Sequence, residues 1–260
     1  MTDLAFQQPM LPLHRTAKCL VTLSAHLRAD YFVGTEASPN AWKVYRDVAA
    51  QGDCFYDCVT RAHNSAQANP GALLSLGELR QRISGSLDEG DFEARVDFYV
   101  AMAASEADAS LYQSCTGLLD LQALMTSSDH YASMADLVSV YRDRELNLIP
   151  IVVNSMYGHK RLVQQGDWSA TPALMPYPAD MGRYYAQPPC ERRYVLLYKK
   201  GEHFELVVNT ECCMAQDRLE ELAALTAHAG LKGREHAYKA VFTEAQLPPL
   251  VLAAFQAQMM

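Results

Sequence analysis

What this 260-residue sequence lacks narrows its class before any motif is read. No uninterrupted apolar run approaches the roughly 18 residues that cross a bilayer, and the longest candidate, from Leu247, is broken by Pro248, Pro249 and two glutamines, so no membrane span is expected. Asp3 stands where a secretory leader carries positive charge, and Gln7, Gln8 and Pro9 interrupt the apolar stretch behind it; classical export is not expected. Basic residues are in deficit: 22 Lys and Arg face 30 Asp and Glu, a net charge of −8, and pairs such as Arg192-Arg193 and Lys199-Lys200 are short. Counterion release from a phosphate backbone needs clustered cations, so nucleic acid is not an expected partner and a basic or mixed protein surface suits the chain better. The seven cysteines are odd in number and scattered, with Cys212 and Cys213 adjacent, unlike a disulfide framework; they read as reduced thiols in a cytoplasmic setting. There is no internal repeat and no low-complexity tract.

What is present is an apolar fraction of 50%, enough for one large domain or two small ones. Residues 1 to about 45 read irregularly, punctuated by Pro9, Pro12 and Ala37-Ser38-Pro39-Asn40, like an arm laid on a domain. From there the periodicity tightens. Phe55, Cys58 or Val59, and Ala62 recur at helical spacing until Asn69-Pro70-Gly71, predicting a helix from about Cys54 to His63. Leu76, Leu79, Ile83 and Leu87 predict a second, Val96, Tyr99, Val100 and Ala103 a third within 92–104, and residues 133–141 a fourth. The β-branched run 148–153 reads as a buried strand. Runs 194–198 and 203–208, separated by Lys199-Lys200-Gly201-Glu202, read as a β-hairpin. LEELAALTAHAG, ending at Gly230, and an apolar stretch after Pro249 read as C-terminal helices.

Chemistry concentrates at Gln51-Gly52-Asp53-Cys54-Phe55-Tyr56, where a cysteine follows a Gly-containing turn and opens a helix. The unpaired N–H groups of a first helical turn favour thiolate over thiol and can face a developing oxyanion, so Gly52 and Asp53 are candidates for an oxyanion-forming turn. A cysteine nucleophile needs a base. Of the eight histidines, His203 begins a strand-like run beside a tight turn. Strand alternation puts His203, Glu205 and Val207 on one side and Phe204, Leu206 and Val208 on the other, which leaves Glu205 placed to orient His203. Asp53, a short polar side chain in a turn, is expected to point outward and bond backbone N–H groups. The plain alternative is a small buried hydrophobe at Cys54 and an ordinary hairpin histidine at His203. A zinc reading of Cys54-x-x-x-Cys58 lacks a second pair at ligand spacing.

Four segments, in order, carry a resemblance. QGDCFYDCVTRA resembles the nucleophile motif of ovarian-tumour (OTU) cysteine proteases, usually Asp-Gly-Asn-Cys followed by Leu or Phe. LGELRQRI resembles the family's next helix, YASMADLVSVYRDRELNLIPIVV its Trp-Gly-x-x-x-Glu-Leu helix and following strand, and RYVLLYKKGEHFELVV its closing hairpin, in which the catalytic His precedes an aromatic residue. Gln51 stands where the family usually has Asp, Asp53 where it has Asn, and Tyr131-Ala132 where it has Trp-Gly. The resemblance implies an α+β, papain-like fold with a small central sheet and closing hairpin packed between helices. It divides the chain into an arm (1–44), a catalytic core (45–210) and a helical extension (211–260). It assigns Cys54 as nucleophile, His203 as base, Glu205 as the acid and Gly52-Asp53 as the oxyanion turn. The implied activity is a thiol-dependent deubiquitinase acting after the C-terminal Gly-Gly of ubiquitin or a ubiquitin-like protein, as a monomer without metal or organic cofactor, and of the divergent kind found in viral and bacterial effectors. The alternatives are an OTU-like domain that binds ubiquitin without cutting it, a protease that processes a polyprotein, and an interaction protein in which Cys54 and His203 never meet.

Overall fold

The computed structural model describes residues 20–23, 28, 32–35, 37–46, 48–49, 51–67, 70–103, 105–132, 134–152, 185–200, 203–211 and 238–257. Its architecture is α+β, a five-stranded mixed sheet with helices against it. The strands are β1 (Leu20–Thr22), β2 (Trp42–Tyr45), β3 (Leu146–Val152), β4 (Arg193–Lys200) and β5 (His203–Asn209), in the spatial order β1-β2-β5-β4-β3. Only β3 and β4 run parallel.

Between β2 and β3 come helices α1 (Cys54–Ser65), α2 (Leu76–Gly85), α3 (Glu89–Met102), α4 (Glu106–Gln113), α5 (Leu118–Thr126) and α6 (Met134–Arg144), and α7 (Pro249–Ala257) follows the sheet. Local chemistry sets their starts. At α2, Ser75 and Glu78 form a reciprocal capping box, with the Ser75 hydroxyl accepting from the Glu78 N–H at 3.2 Å and the Glu78 carboxylate accepting from the Ser75 N–H at 2.7 Å. Ser105 caps α4 by accepting from the Asp108 N–H at 3.1 Å.

Alternation along the strands feeds two apolar layers. Leu148, Val195, Leu197, Phe204, Leu206 and Val208 face the layer of α1 to α6, while Ile149, Ile151, Leu196 and Val207 face a second core with Trp42, Phe242 and Val251 of α7. The expected one-sided hairpin is therefore apolar on both faces: Val207, on the His203 side, is itself fully buried.

The segment expected to be irregular supplies strands. β2 pairs with β5 along Trp42↔Asn209 to Tyr45↔Leu206, and β1 adds the edge. Trp42 packs between Phe32 and Phe242, with ring centroids 5.2 and 5.0 Å away. From the other flank, Tyr238–Phe242 reaches the ends of β4 and β5 through paired backbone bonds of Phe242 with Tyr194 (2.9 Å each) and Lys239 with Asn209 (2.8 Å each). The hairpin itself is tighter than expected. Lys200 pairs with His203, so Lys199 and Lys200 belong to β4 and only positions 201 and 202 connect the strands. The helix expected to end at Gly230 lies outside the described residues. Among the described residues no helix is long and apolar enough to cross a membrane.

Candidate active site

Gln51–Asp53 form a single 3-10 turn that runs directly into α1, so Cys54 is the first α-helical residue. Its side chain is buried at 3% exposure and packs in the core between helices and sheet. The backbone N–H of Phe204 donates to the Cys54 sulfur at 3.4 Å, across 150 residues of chain. The sulfur thus lies against the peptide that joins His203 to Phe204. The contact is fixed from both sides: the Phe55 and Phe204 rings meet edge to face at 5.3 Å, and the Lys199 ammonium lies 5.6 Å over the Phe204 ring.

Burial pushes the Cys54 thiol above its ordinary range, and the Asp53 carboxylate adds to the rise; the N–H groups of Phe204, Phe55 and Cys54 itself pull the other way. The expected preference for thiolate is therefore outweighed by desolvation, and Cys54 rests as a thiol. Cys58, one turn further on and fully buried, is pushed up more strongly by the same cause.

His203 opens β5 and is half-buried. Among the described residues no hydrogen bond or ion pair joins its imidazole to Cys54 or Glu205. The Glu205 carboxylate, on the same strand face, is engaged by Arg46 at 3.5 Å instead. Asn209, which could have served as an alternative orienting group, sits at the far end of β5 opposite Trp42 and cannot reach the imidazole.

Asp53 corrects the expectation placed on it. Its carboxylate makes no cap bond to the helix backbone and bonds the guanidinium of Arg80, 3.0 Å from Nε and 2.8 Å from Nη2. The first turn of α1 thereby keeps its N–H groups clear of a capping side chain. Arg80 was not picked out by sequence. It neighbours Leu79 on α2 and is buried there together with Ser84, but no sequence signal marked it, since an arginine beside an apolar stripe reads as an exposed residue.

At 2% exposure, Arg80 spends its donors on three segments at once: the Gly52 carbonyl of the turn at 2.8 Å, the Met125 carbonyl at the end of α5 at 2.7 Å and the His130 carbonyl at 3.4 Å, besides Asp53. Its guanidinium lies 4.0 Å over the Tyr56 ring. The strap formed by residues 127–130 passes so close to the turn that a Cβ on Gly52 would lie 2.2 Å from the Ser128 carbonyl oxygen and 2.5 Å from that of His130. Glycine is required here by contact.

The strap is anchored from behind by a buried polar cluster. The Tyr112 hydroxyl accepts the Tyr131 N–H and hydrogen-bonds His130 Nδ1 at 3.0 Å. His130 Nε2 bonds the Asp136 carboxylate at 3.2 Å, and the same carboxylate oxygen accepts from the Tyr56 and Tyr99 hydroxyls at 3.1 and 3.2 Å. His130 and Asp136 are both fully buried. Among the described residues no group of three or more His, Cys, Asp or Glu side chains is arranged to hold a metal ion. Neither a protein-family model nor a curated protein sequence matches the chain.

Proposed function

We propose that the chain is a thiol-dependent hydrolase of the OTU type that cleaves the isopeptide or peptide bond after the C-terminal Gly-Gly of ubiquitin or a ubiquitin-like protein. The observation that supports it most is the 3.4 Å hydrogen bond from the Phe204 amide to the Cys54 sulfur, which pairs a helix-start cysteine with the peptide of the hairpin histidine. The substrate class rests on the resemblance of the four sequence segments to OTU enzymes.

In this reading His203 takes the Cys54 proton as the sulfur attacks the scissile carbonyl, and returns it to the leaving amine. Water, deprotonated by His203, then hydrolyses the thioester and regenerates the thiol. Because burial holds Cys54 as a thiol, the base is indispensable, and turnover requires the imidazole to come within hydrogen-bond reach of the sulfur by rotation of a half-buried side chain. N–H groups at the uncapped start of α1 are suited to stabilise the oxyanion.

A second reading, a domain that binds ubiquitin without cutting it, draws support from the Glu205–Arg46 ion pair, which leaves the imidazole without its expected acid. One experiment separates the two. Ubiquitin carrying a C-terminal propargylamide is incubated with wild-type and Cys54→Ala protein, followed by intact and peptide mass spectrometry. An adduct on Cys54 that is absent from the variant supports the hydrolase. Reversible binding without an adduct supports the second reading, and the absence of both adduct and binding removes ubiquitin from both readings.

A further inference from the structure

We propose that Arg80 is a positioning residue for the Cys54 thiol, fixing the Gly52-Asp53 turn from which α1 starts and offsetting the carboxylate of Asp53, the residue before the thiol. The inference rests on the reading of Cys54 as the nucleophile, and it deepens that reading by naming what sets the reactivity of this particular cysteine.

Two independent observations carry it. Geometrically, the planar guanidinium ties one atom of the turn's backbone (Gly52 O, 2.8 Å) and one of its side chains (Asp53 Oδ1, 2.8 and 3.0 Å) to two other segments, through Met125 O and His130 O. A planar fork makes such multidentate contacts, and an ammonium on a flexible stem cannot reproduce them. Electrostatically, a carboxylate one residue before a buried thiol disfavours the thiolate, and a fixed cation bonded to that carboxylate counters it where the dielectric is low. Among the described residues, Cys58 lies one turn along α1, Glu205 and His203 stand on the β5 strand that carries the Phe204 amide, and Lys199 lies over the Phe204 ring; Glu205 already has Arg46 as its counter-charge. Arg80 is thus the cation held against the turn itself.

The test reads the thiol directly, so it does not depend on any ubiquitin chemistry. Alkylation of Cys54 by iodoacetamide is followed by peptide mass spectrometry from pH 6 to 10 in four full-length proteins: wild type, Asp53→Asn, Arg80→Gln and the double variant. Thermal melts confirm that each is folded at the assay temperature. The expected result is a midpoint moved to lower pH in Asp53→Asn, to higher pH in Arg80→Gln with roughly tenfold slower alkylation at neutral pH, and back toward wild type when both changes are combined. A purely structural Arg80 would lower the melting temperature and leave the Cys54 midpoint of the folded protein where it was, which overturns the proposal. If Arg80→Gln does not fold, Arg80→Lys takes its place: it keeps the charge, and a wild-type rate at every pH in that variant overturns the positioning role, whereas slower alkylation with a near-normal midpoint supports it. A wild-type protein that ignores the ubiquitin probe yet shows these shifts separates failure of the proposed activity from failure of this inference.

Discussion

Gly52→Ala offers a quantitative test of how tightly the turn before Cys54 is held. The added methyl would sit 2.2 Å from the Ser128 carbonyl oxygen and 2.5 Å from that of His130. An ordinary carbon–oxygen contact is about 3.3 Å or more, so relief requires about an ångström of main-chain movement, because both clashing atoms are backbone. Overpacking of this kind costs typically 1–3 kcal/mol, and more when the main chain must shift. Alanine returns about 0.4–1 kcal/mol by restricting the unfolded chain. The net loss is therefore on the order of 2 kcal/mol, equivalent to about 4–8 °C in melting temperature for a domain of this size. The shift also pulls the Gly52 or His130 carbonyl from Arg80, and it displaces the start of α1 with it. Differential scanning fluorimetry of wild type and variant, with site-resolved alkylation of Cys54 on the same samples, checks both effects. A variant that melts within about 1 °C of wild type and alkylates identically would refute the contact argument.

Cys54→Ala should abolish hydrolysis of ubiquitin conjugates while costing on the order of 1 kcal/mol of stability, and Cys58→Ala should cost a similar amount and leave turnover intact; steady-state kinetics beside thermal melts check the contrast. His203→Ala should lower kcat by at least about a hundredfold, with Glu205→Ala milder, and equal kinetics for Glu205→Ala and wild type would show that Arg46 holds that carboxylate out of the chemistry. Asp136→Ala strips the hydrogen-bond acceptor from Tyr56, Tyr99 and His130 together and should cost about 3 kcal/mol or more by urea unfolding. Burial holds the His63 imidazole below its ordinary value of about 6.5, so the folded state binds its proton less readily than the unfolded chain; this contribution is full above that value and is lost as pH falls through the lowered folded value. His63→Gln should accordingly flatten the acid limb of stability below about pH 6.5, measured by urea midpoints from pH 5 to 8.

The helix that Cys54 opens, the hairpin and most of the helical layer were legible because their apolar residues repeat at 3.6 or 2 over enough length to mark a buried face. α4 and α5 were not. EADASLYQ has too few apolar residues to show a stripe, and LLDLQALM is apolar nearly all round, so neither carries a period although both are buried through Tyr112, Leu121 and Met125. β1 and β2 were hidden by their length of three and four residues, and what makes them strands is the free edge of β5 rather than their own propensity. At the site, Cys54 and His203 were singled out from their neighbours in sequence, and the structure brings the sulfur against the peptide that follows His203. The roles of Asp53 and Glu205 could not be read there, because each carboxylate is claimed by an arginine, Arg80 or Arg46, whose approach is a tertiary event with no local trace.

The bond between the Phe204 amide and the Cys54 sulfur has a temporal consequence for a chain made from its N-terminus. α1 and its thiol leave the ribosome early, yet the amide that meets the sulfur lies 150 residues later, and β5 is flanked on one side by β2 and on the other by β4, the strand synthesised just before it. Closing so long a loop is a late step in folding, since its entropy must be met before any non-local contact compensates. Nascent and prematurely terminated chains therefore carry Cys54 without the hairpin peptide beside it, and the thiol acquires these neighbours only when β5 docks.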